Sequence, residues 1–323
     1  MLIAVTEEGI YTQAHQADLK LHYRCPVCLK PVTLKQGRYK IAHFSHQRVI
    51  DCHKSTYKTE SLVHLQGKHH LYDMARAHHV DMEYFLSEIE QIPDILVDRT
   101  LAVELQLSVI PVDAILRRSA GYRRLNMDVI WIAEDEALSR NDCMLKLTAF
   151  QRALVQTERM QLFSYNKSED QFYCYQLGDI TPTLSVTYER YSVSCFEAFM
   201  IDRVVTRQSH QLTKQQQNMF IRRCLQLKDV REPTLSALYQ LGINHRTLPQ
   251  SIGIVVPHQF YIRTHPVTWQ SMLLLLLKNQ TYTVERLADK LDFYGVHTLL
   301  SEYEIVSELV AQYLAAYKKL YVH

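Results

Sequence analysis

Two groups of side chains in this 323-residue chain have the types and spacing to do chemistry. The first is Cys25-Pro26-Val27-Cys28, followed after fourteen residues by His43-Phe44-Ser45-His46. Two thiolates separated by two residues grip one side of a tetrahedral ion, and two later imidazoles close the other. That is the spacing of a structural zinc site, although the histidine pair is one residue tighter than usual. Cys52 or His53 is the alternative to His43 as fourth ligand. So short and strand-poor a segment has little core of its own. Zinc, at roughly 10–16 kcal/mol of apparent binding energy, would supply the missing stability. A redox role is the weaker reading, because no helical pattern begins at the cysteine pair.

The second group is acidic. Glu60, His64 and Lys68 lie four residues apart and share one face of a predicted helix. Asp94 opens the segment PDILVD, and Glu104 and Gln106 alternate along LAVELQLSV, so the last two project to one side of a sheet. Carboxylates gathered at low dielectric repel by on the order of several kcal/mol, so such a site keeps a proton or takes a cation. Hard oxygen ligands suit Mg2+ or Mn2+, which retain water usable as a nucleophile. The alternative is a set of solvated acids on an edge strand. Against it, the polar residues of LAVELQLSV stand inside an apolar strand without turn residues.

The elements that must position these groups follow from periodicity. Residues 1–50 read as short strands (LIAVT, LHYRC, PVTLK, KIAHF). Leu62, Leu65, His69 and Tyr72 then recur at helical spacing over about Thr59 to His79, behind a cap at Ser55, Thr56 or Thr59. Three strand-like segments (VDMEYFLSEIE, PDILVD, LAVELQLSV), a helix over Asp113–Leu125 and a buried strand DVIWIA complete an α/β unit with a mixed sheet. Beyond Glu134, Gln171–Leu177 reads as a strand. Helices are expected at Phe196–Gln208, Lys214–Gln226, Thr234–Leu241, Pro266–Asn279, Val284–Leu291 and Leu299–Tyr321. The expected organisation is an N-terminal zinc-binding β module over residues 1–54, a mixed-sheet core over 55–150 and a mostly helical domain over 151–323. The fold class is α/β (α+β).

Composition narrows the setting. At 47% hydrophobic and 22% charged residues, the chain is ordinary for soluble globular protein. MLIAVTEEGI is no signal peptide, and the Met272–Leu277 run is too short to cross a bilayer. Seven cysteines, an odd number without a secretory signal, point to reduced thiols and a cytoplasmic location. The net charge of +2 is uninformative, but its distribution is not. Nine Lys or Arg face one acid between Lys20 and Lys58, and seven acids face one base between Asp81 and Ser108. A basic arm beside an acidic cluster suits phosphate binding next to a cation site, and two solvated faces of opposite sign explain it equally.

The order helix-Glu, strand-Asp, then Glu-x-Gln on the next strand resembles the PD-(D/E)XK nuclease superfamily. More closely, CPVC, HFSH, ESLVHLQGK, PDILVD, VELQLS and GYRRLNMDVIWI together resemble the competence protein CoiA family over roughly residues 1–135. The resemblance implies a cytoplasmic bacterial protein of natural transformation, acting on internalised DNA near the recombination step with recombination proteins as possible partners. It implies zinc at Cys25, Cys28, His43 and His46, and a Mg2+ or Mn2+ nuclease site at Asp94, Glu104 and Gln106, with Glu60 as the helix acid. One departure stands out: the superfamily's usual lysine is here Gln106, which can hydrogen-bond but brings no positive charge. Lys68 compensates if it reaches the site. Arg118 and Tyr122, four apart, are expected to face a DNA backbone with Lys68. The departure also leaves open a non-catalytic DNA-binding or recombination-mediator protein that keeps the fold.

Overall fold

The computed structural model describes residues 2–26, 28–37, 40–46, 61–203, 205–229 and 231–321. Glu60, Cys52 and His53 therefore lie outside the described residues, as does the expected boundary at 54/55. In chain order the N-terminal strands are β1 (Ile3–Thr6), β2 (Tyr11–Gln13), β3 (Tyr23–Arg24), β4 (Pro31–Gly37) and β5 (Lys40–Ser45). Then come α1 (Leu62–Met74), β6 (Val80–Met82), β7 (Ile95–Val97), β8 (Leu101–Gln106), α2 (Val112–Arg124) and β9 (Asp128–Glu134). They are followed by β10 (Ser139–Asn141), β11 (Met144–Lys146), α3 (Ala149–Ala153), β12 (Gln161–Asn166), β13 (Gln171–Ile180) and β14 (Val186–Val193). The last are β15 (His210–Gln211), α4 (Lys214–Gln226), α5 (Pro233–Leu241), β16 (Ile254–Val255), α6 (Pro266–Lys278), α7 (Val284–Ala288) and α8 (Glu302–Tyr321).

The chain forms two compact units. One holds Met1–Ala137, Leu162–Tyr175 and Arg190–Asp202, and the other holds Leu138–Gln161, Gln176–Glu189 and Arg203–His323. Strands β12, β13 and β14 thus contribute residues to both, and the expected boundary at 150 falls inside α3.

In the first unit, the N-terminal strands make an antiparallel sheet in the order β2-β1-β3-β4-β5. Val32 and Leu34 alternate inward along β4 and meet Ala4, Tyr23, Cys25 and Phe44 in a small core. The larger sheet of this unit runs β14-β13-β12-β9-β8-β7-β6. Strands β8, β9 and β12 are parallel, whereas β6 and β7 are antiparallel to their neighbours. The β8–α2–β9 crossover explains why β8 and β9 read as nearly continuous apolar runs. A parallel strand is covered on both faces, so it lacks the alternation of a half-solvated one.

Helix α1 is capped by Ser61, whose hydroxyl accepts the His64 N–H at 3.2 Å, rather than by the serine or threonines further upstream. Gly67 lets α1 lie close on the sheet: a Cβ there would stand 2.5 Å from Leu105 Cδ2. The expected strand over 80–90 stops at Met82, because Glu83 takes φ +50° and turns the chain away.

The second unit carries β10, β11 and α3 beside its share of the sheet, in the order β10-β11-β14-β13-β12. It also has a short antiparallel β15–β16 pair and helices α4 to α8. The helices expected over Lys214–Gln226, Thr234–Leu241, Pro266–Asn279, Val284–Leu291 and Leu299–Tyr321 form as α4 to α8 with small end shifts. Among the described residues of the expected helix over Phe196–Gln208, a 3-10 turn, Phe196–Met200, forms instead, and it buries Phe196 and Phe199 in the first unit's core. Among the described residues no helix is long and apolar enough to cross a membrane.

Candidate active site

Asp94 immediately precedes β7, and its carboxylate is held from three directions. Oδ1 lies 2.8 Å from the Lys68 ammonium; Oδ2 is 3.2 Å from His64 Nε2 and accepts the Leu105 N–H at 2.8 Å. The i,i+4 spacing of His64 and Lys68 puts both on the α1 face turned to this carboxylate. Burial opposes ionisation of Asp94, but the Lys68 charge and the His64 bond overcome it and hold the carboxyl well below the usual carboxylate range. Lys68 therefore does reach the site. It is fully buried and also pairs with Glu83 Oε1 at 2.8 Å, so the DNA-backbone contact expected of it is corrected to an internal one.

Glu104 faces the other helix. Leu105 points at Gly67 of α1, so its neighbour Glu104, one step along the strand, projects toward α2. There Arg118 Nε (3.1 Å), Arg118 Nη2 and the Tyr122 hydroxyl all donate to Glu104 Oε1. Arg118 also donates to the Ile92 carbonyl at 3.1 Å. Burial and the nearby Asp94 charge raise the Glu104 carboxyl above its ordinary value, against the pull of Arg118. Burial, reinforced by the Glu104 charge, likewise pushes the Tyr122 hydroxyl well up. Tyr122 has no exposed surface, and the spacing that suggested a joint face with Arg118 serves Glu104 instead of a DNA backbone.

Gln106 shares the Glu104 side of β8, but its amide turns along the chain and donates to the Ser108 carbonyl (2.7 Å) and hydroxyl (3.2 Å). Of the four expected oxygen ligands, the three described ones turn to different partners. Asp94 is drawn to α1, Glu104 to α2 and Gln106 to Ser108. The two carboxylates remain near enough for one charge to raise the other's proton affinity.

Sequence reasoning missed Glu83. It is fully buried in an irregular segment, where no periodicity announces it. Its Oε2 accepts the Leu2 N–H at 2.6 Å and the Ile3 N–H at 3.4 Å. Glu83 and Asp94 share the Lys68 ammonium, and Glu104 is paired with the Arg118 guanidinium. Asp94 and Glu104 offer hard carboxylate oxygens of the kind a divalent cation takes, whereas Glu83 is occupied by Lys68 and the β1 amides, and the three acids do not gather as close ligand atoms among the described residues.

The cysteine–histidine group is more compact. Ligand atoms of Cys25, Cys28 and His46 lie within 4.8 Å of one another, the one such group among the described residues. Cys25 follows β3 and sits in a tight turn, its N–H bonded to the Lys30 carbonyl (2.8 Å) and its carbonyl accepting from Leu29 (2.9 Å). Cys28 Sγ is 3.9 Å from His46 Nε2. His43 does not join them. Phe44 points into the small core beside Cys25, and strand alternation turns His43 to the opposite face, whereas His46 lies just past the end of β5. Two thiolates and an imidazole fit Zn2+.

A separate cavity of about 650 Å3 is lined by residues including His15, His69, His70, Tyr165, Lys167 and Asp170, and includes neither Asp94 nor Glu104. Its charges are largely paired among themselves and their neighbours: Asp170 with His70 and Tyr165, and Lys167 with Glu134 and Glu136.

The model of the nuclease-like domain of competence protein CoiA matches residues 60–209, and that of the CoiA N-terminal domain matches residues 10–55. The chain belongs to the CoiA family. A 133-residue stretch is 29% identical to Competence protein CoiA of Bacillus subtilis (strain 168), covering 40% of this chain and 35% of that protein. The match thus spans about a third of that relative's length. No solved structure matches the chain. Within the CoiA pattern, the Cys/His group lies in the N-terminal match apart from its surroundings in β1, and Asp94, Glu104 and Lys68 lie in the nuclease-like one.

Proposed function

We propose that this CoiA-family protein is a cytoplasmic, metal-dependent DNA nuclease that hydrolyses phosphodiesters of internalised DNA during natural transformation. The observation that supports this best is the Lys68 ammonium 2.8 Å from Asp94. It delivers from a helix the positive charge that Gln106 lacks on the strand. Asp94 and Glu104, with Glu60 on the segment leading to α1, are the residues to hold Mg2+ or Mn2+. Bound there, such an ion lowers the pKa of its water and offsets charge on a phosphate oxygen. Lys68 holds Asp94 ionised and in place, and is positioned to offset negative charge beside it. Arg118 and Tyr122 fix the Glu104 rotamer, and Gln106, once released from Ser108, can hydrogen-bond a water or phosphate. Zn2+ at Cys25, Cys28 and His46 would brace the N-terminal sheet, whose basic arm offers contacts to the DNA backbone.

A second reading has its own observation. Arg118 and Tyr122 already occupy Glu104, and Gln106 is turned to Ser108. A protein satisfied in this way can bind single-stranded DNA or load a recombination protein without cleaving. Cleavage of single- and double-stranded DNA by purified protein in Mn2+ or Mg2+ separates the two. The nuclease reading expects metal-dependent cleavage that Asp94→Ala and Glu104→Ala abolish. Binding that needs no metal and survives Glu104→Ala, without cleavage, would establish the second reading. Cleavage by wild type and variants alike would reveal a contaminating nuclease.

A further inference from the structure

A short chain of buried polar contacts runs from the N-terminal sheet to the candidate cation site. Glu83 Oε2 accepts the Leu2 N–H at 2.6 Å and the Ile3 N–H at 3.4 Å, at the start of β1. Glu83 Oε1 holds the Lys68 ammonium at 2.8 Å, and the same ammonium holds Asp94 Oδ1 at 2.8 Å. The Glu83 N–H also donates to the Asp94 carbonyl at 3.1 Å, so backbone and side chain fasten the same pair of residues. Strand β1 pairs with β3 through Val5 and Arg24, and Cys25 is the next residue. Lys68 and Glu83 are each about 1% exposed, so water cannot substitute for either partner.

We propose that Glu83 is a positioning residue of the candidate cation site, sharing the Lys68 ammonium with Asp94 and tying that ammonium to the first strand of the sheet that carries the cysteine–histidine group. This rests on the cation-site reading above. The physical case is one of charge sharing. With Glu83 ionised, Lys68 divides its hydrogen bonds between two carboxylates, and Asp94 keeps charge to offer a divalent ion. Replacing Glu83 by a neutral side chain removes one of the two carboxylates that fix the Lys68 ammonium, lets it shift toward Asp94, and takes one negative charge from the buried site. The strained φ of +50° at Glu83 has a matching explanation. In that turn one carboxylate reaches both the β1 amides and the α1 ammonium.

The test uses the full chain as wild type, Asp94→Asn, Glu83→Gln and Met82→Ala. Met82 is buried in one cluster with Leu2 and Ile3 and carries no charge, so Met82→Ala loosens the packing of β1 without removing a charged group. Mn2+ binding is measured by calorimetry, and amide exchange at Leu2 and Ile3 by NMR. The expected result is a Mn2+ Kd at least tenfold weaker in Glu83→Gln, with faster exchange at Leu2 and Ile3 and unchanged exchange in α2 and β9. Met82→Ala should speed the same two amides while keeping the wild-type Mn2+ affinity. A Glu83→Gln protein that binds Mn2+ as wild type does, or a Met82→Ala protein equally weakened, overturns the proposal alone. Equal Mn2+ binding by wild type and Asp94→Asn overturns the cation site and this proposal with it. Exchange that rises throughout α2 and β9 in Glu83→Gln would show general unfolding and also count against it.

Discussion

Replacing Arg118 with methionine removes the guanidinium that clasps Glu104 while keeping an apolar side chain of similar length. The carboxylate left behind is 6% exposed, and Arg118 itself 27% exposed. Breaking a fully buried pair costs about 3–5 kcal/mol, and partial exposure of Arg118 lowers the expected loss to about 2–4 kcal/mol. The pH dependence has a definite sign. Folded Glu104 titrates above its ordinary 4.5, through burial first and Asp94 second, so the folded state holds the proton more tightly than the unfolded chain. The penalty is therefore absent below the unfolded value and grows as pH rises through it, more steeply without Arg118. A divalent cation should relieve it. Mn2+ at a hundred times its Kd contributes about 2.7 kcal/mol through linkage, and the freed carboxylate should bind it more tightly than in wild type. Because the chain has two compact units, a single melting temperature would mix them, and amide exchange in β8 and β9 is the better measure. A loss under about 1 kcal/mol at about pH 7.5, an equal loss at about pH 5, or no greater response to Mn2+ than wild type would refute the reasoning.

Two further expectations concern other parts of the molecule. Cys28→Ser should release the ion expected at Cys25, Cys28 and His46, seen as loss of zinc by native mass spectrometry with faster exchange in β3 to β5; unchanged metal content would count against the site. His265 caps α6, accepting the Val267 N–H on Nδ1 at 3.3 Å and stacking on Phe220 at 3.6 Å. Burial, helped by the Arg223 charge, pulls it from 6.5 to about 4. Protonation then favours the unfolded chain, so its contribution is complete above pH 6.5 and drains away as pH falls toward 4, by up to about 3 kcal/mol. His265→Asn, which keeps a capping side chain, should flatten that part of the stability profile of the second unit; an unaltered profile would show that another group is responsible.

Much of the architecture was legible in the sequence, for local reasons. Helices α2, α4, α6 and α8 span 13 to 20 residues with a 3.6-residue pattern, and β8 and β9 carry nearly continuous apolar runs. Strands β10 and β11 have three residues each and the alternation in β14 is mostly surface-facing, so no local pattern distinguished them. The Phe196–Gln208 segment had helical spacing, but its aromatics pack as a single 3-10 turn, and packing outweighs propensity in so short a stretch.

The candidate site divides along the same line. Spacing along the chain was enough to put Glu104 and Gln106 on one side of a strand and His64 and Lys68 on one face of a helix, because those periods are properties of the backbone. Which helix covers which side of β8 is decided only when sheet and helices pack. That choice sends Lys68 inward to Asp94 and Glu83, turns Arg118 and Tyr122 onto Glu104, and leaves His43 facing away from Cys25. Burial then makes each pairing compulsory, since a charge removed from water must find its counter-charge in the protein.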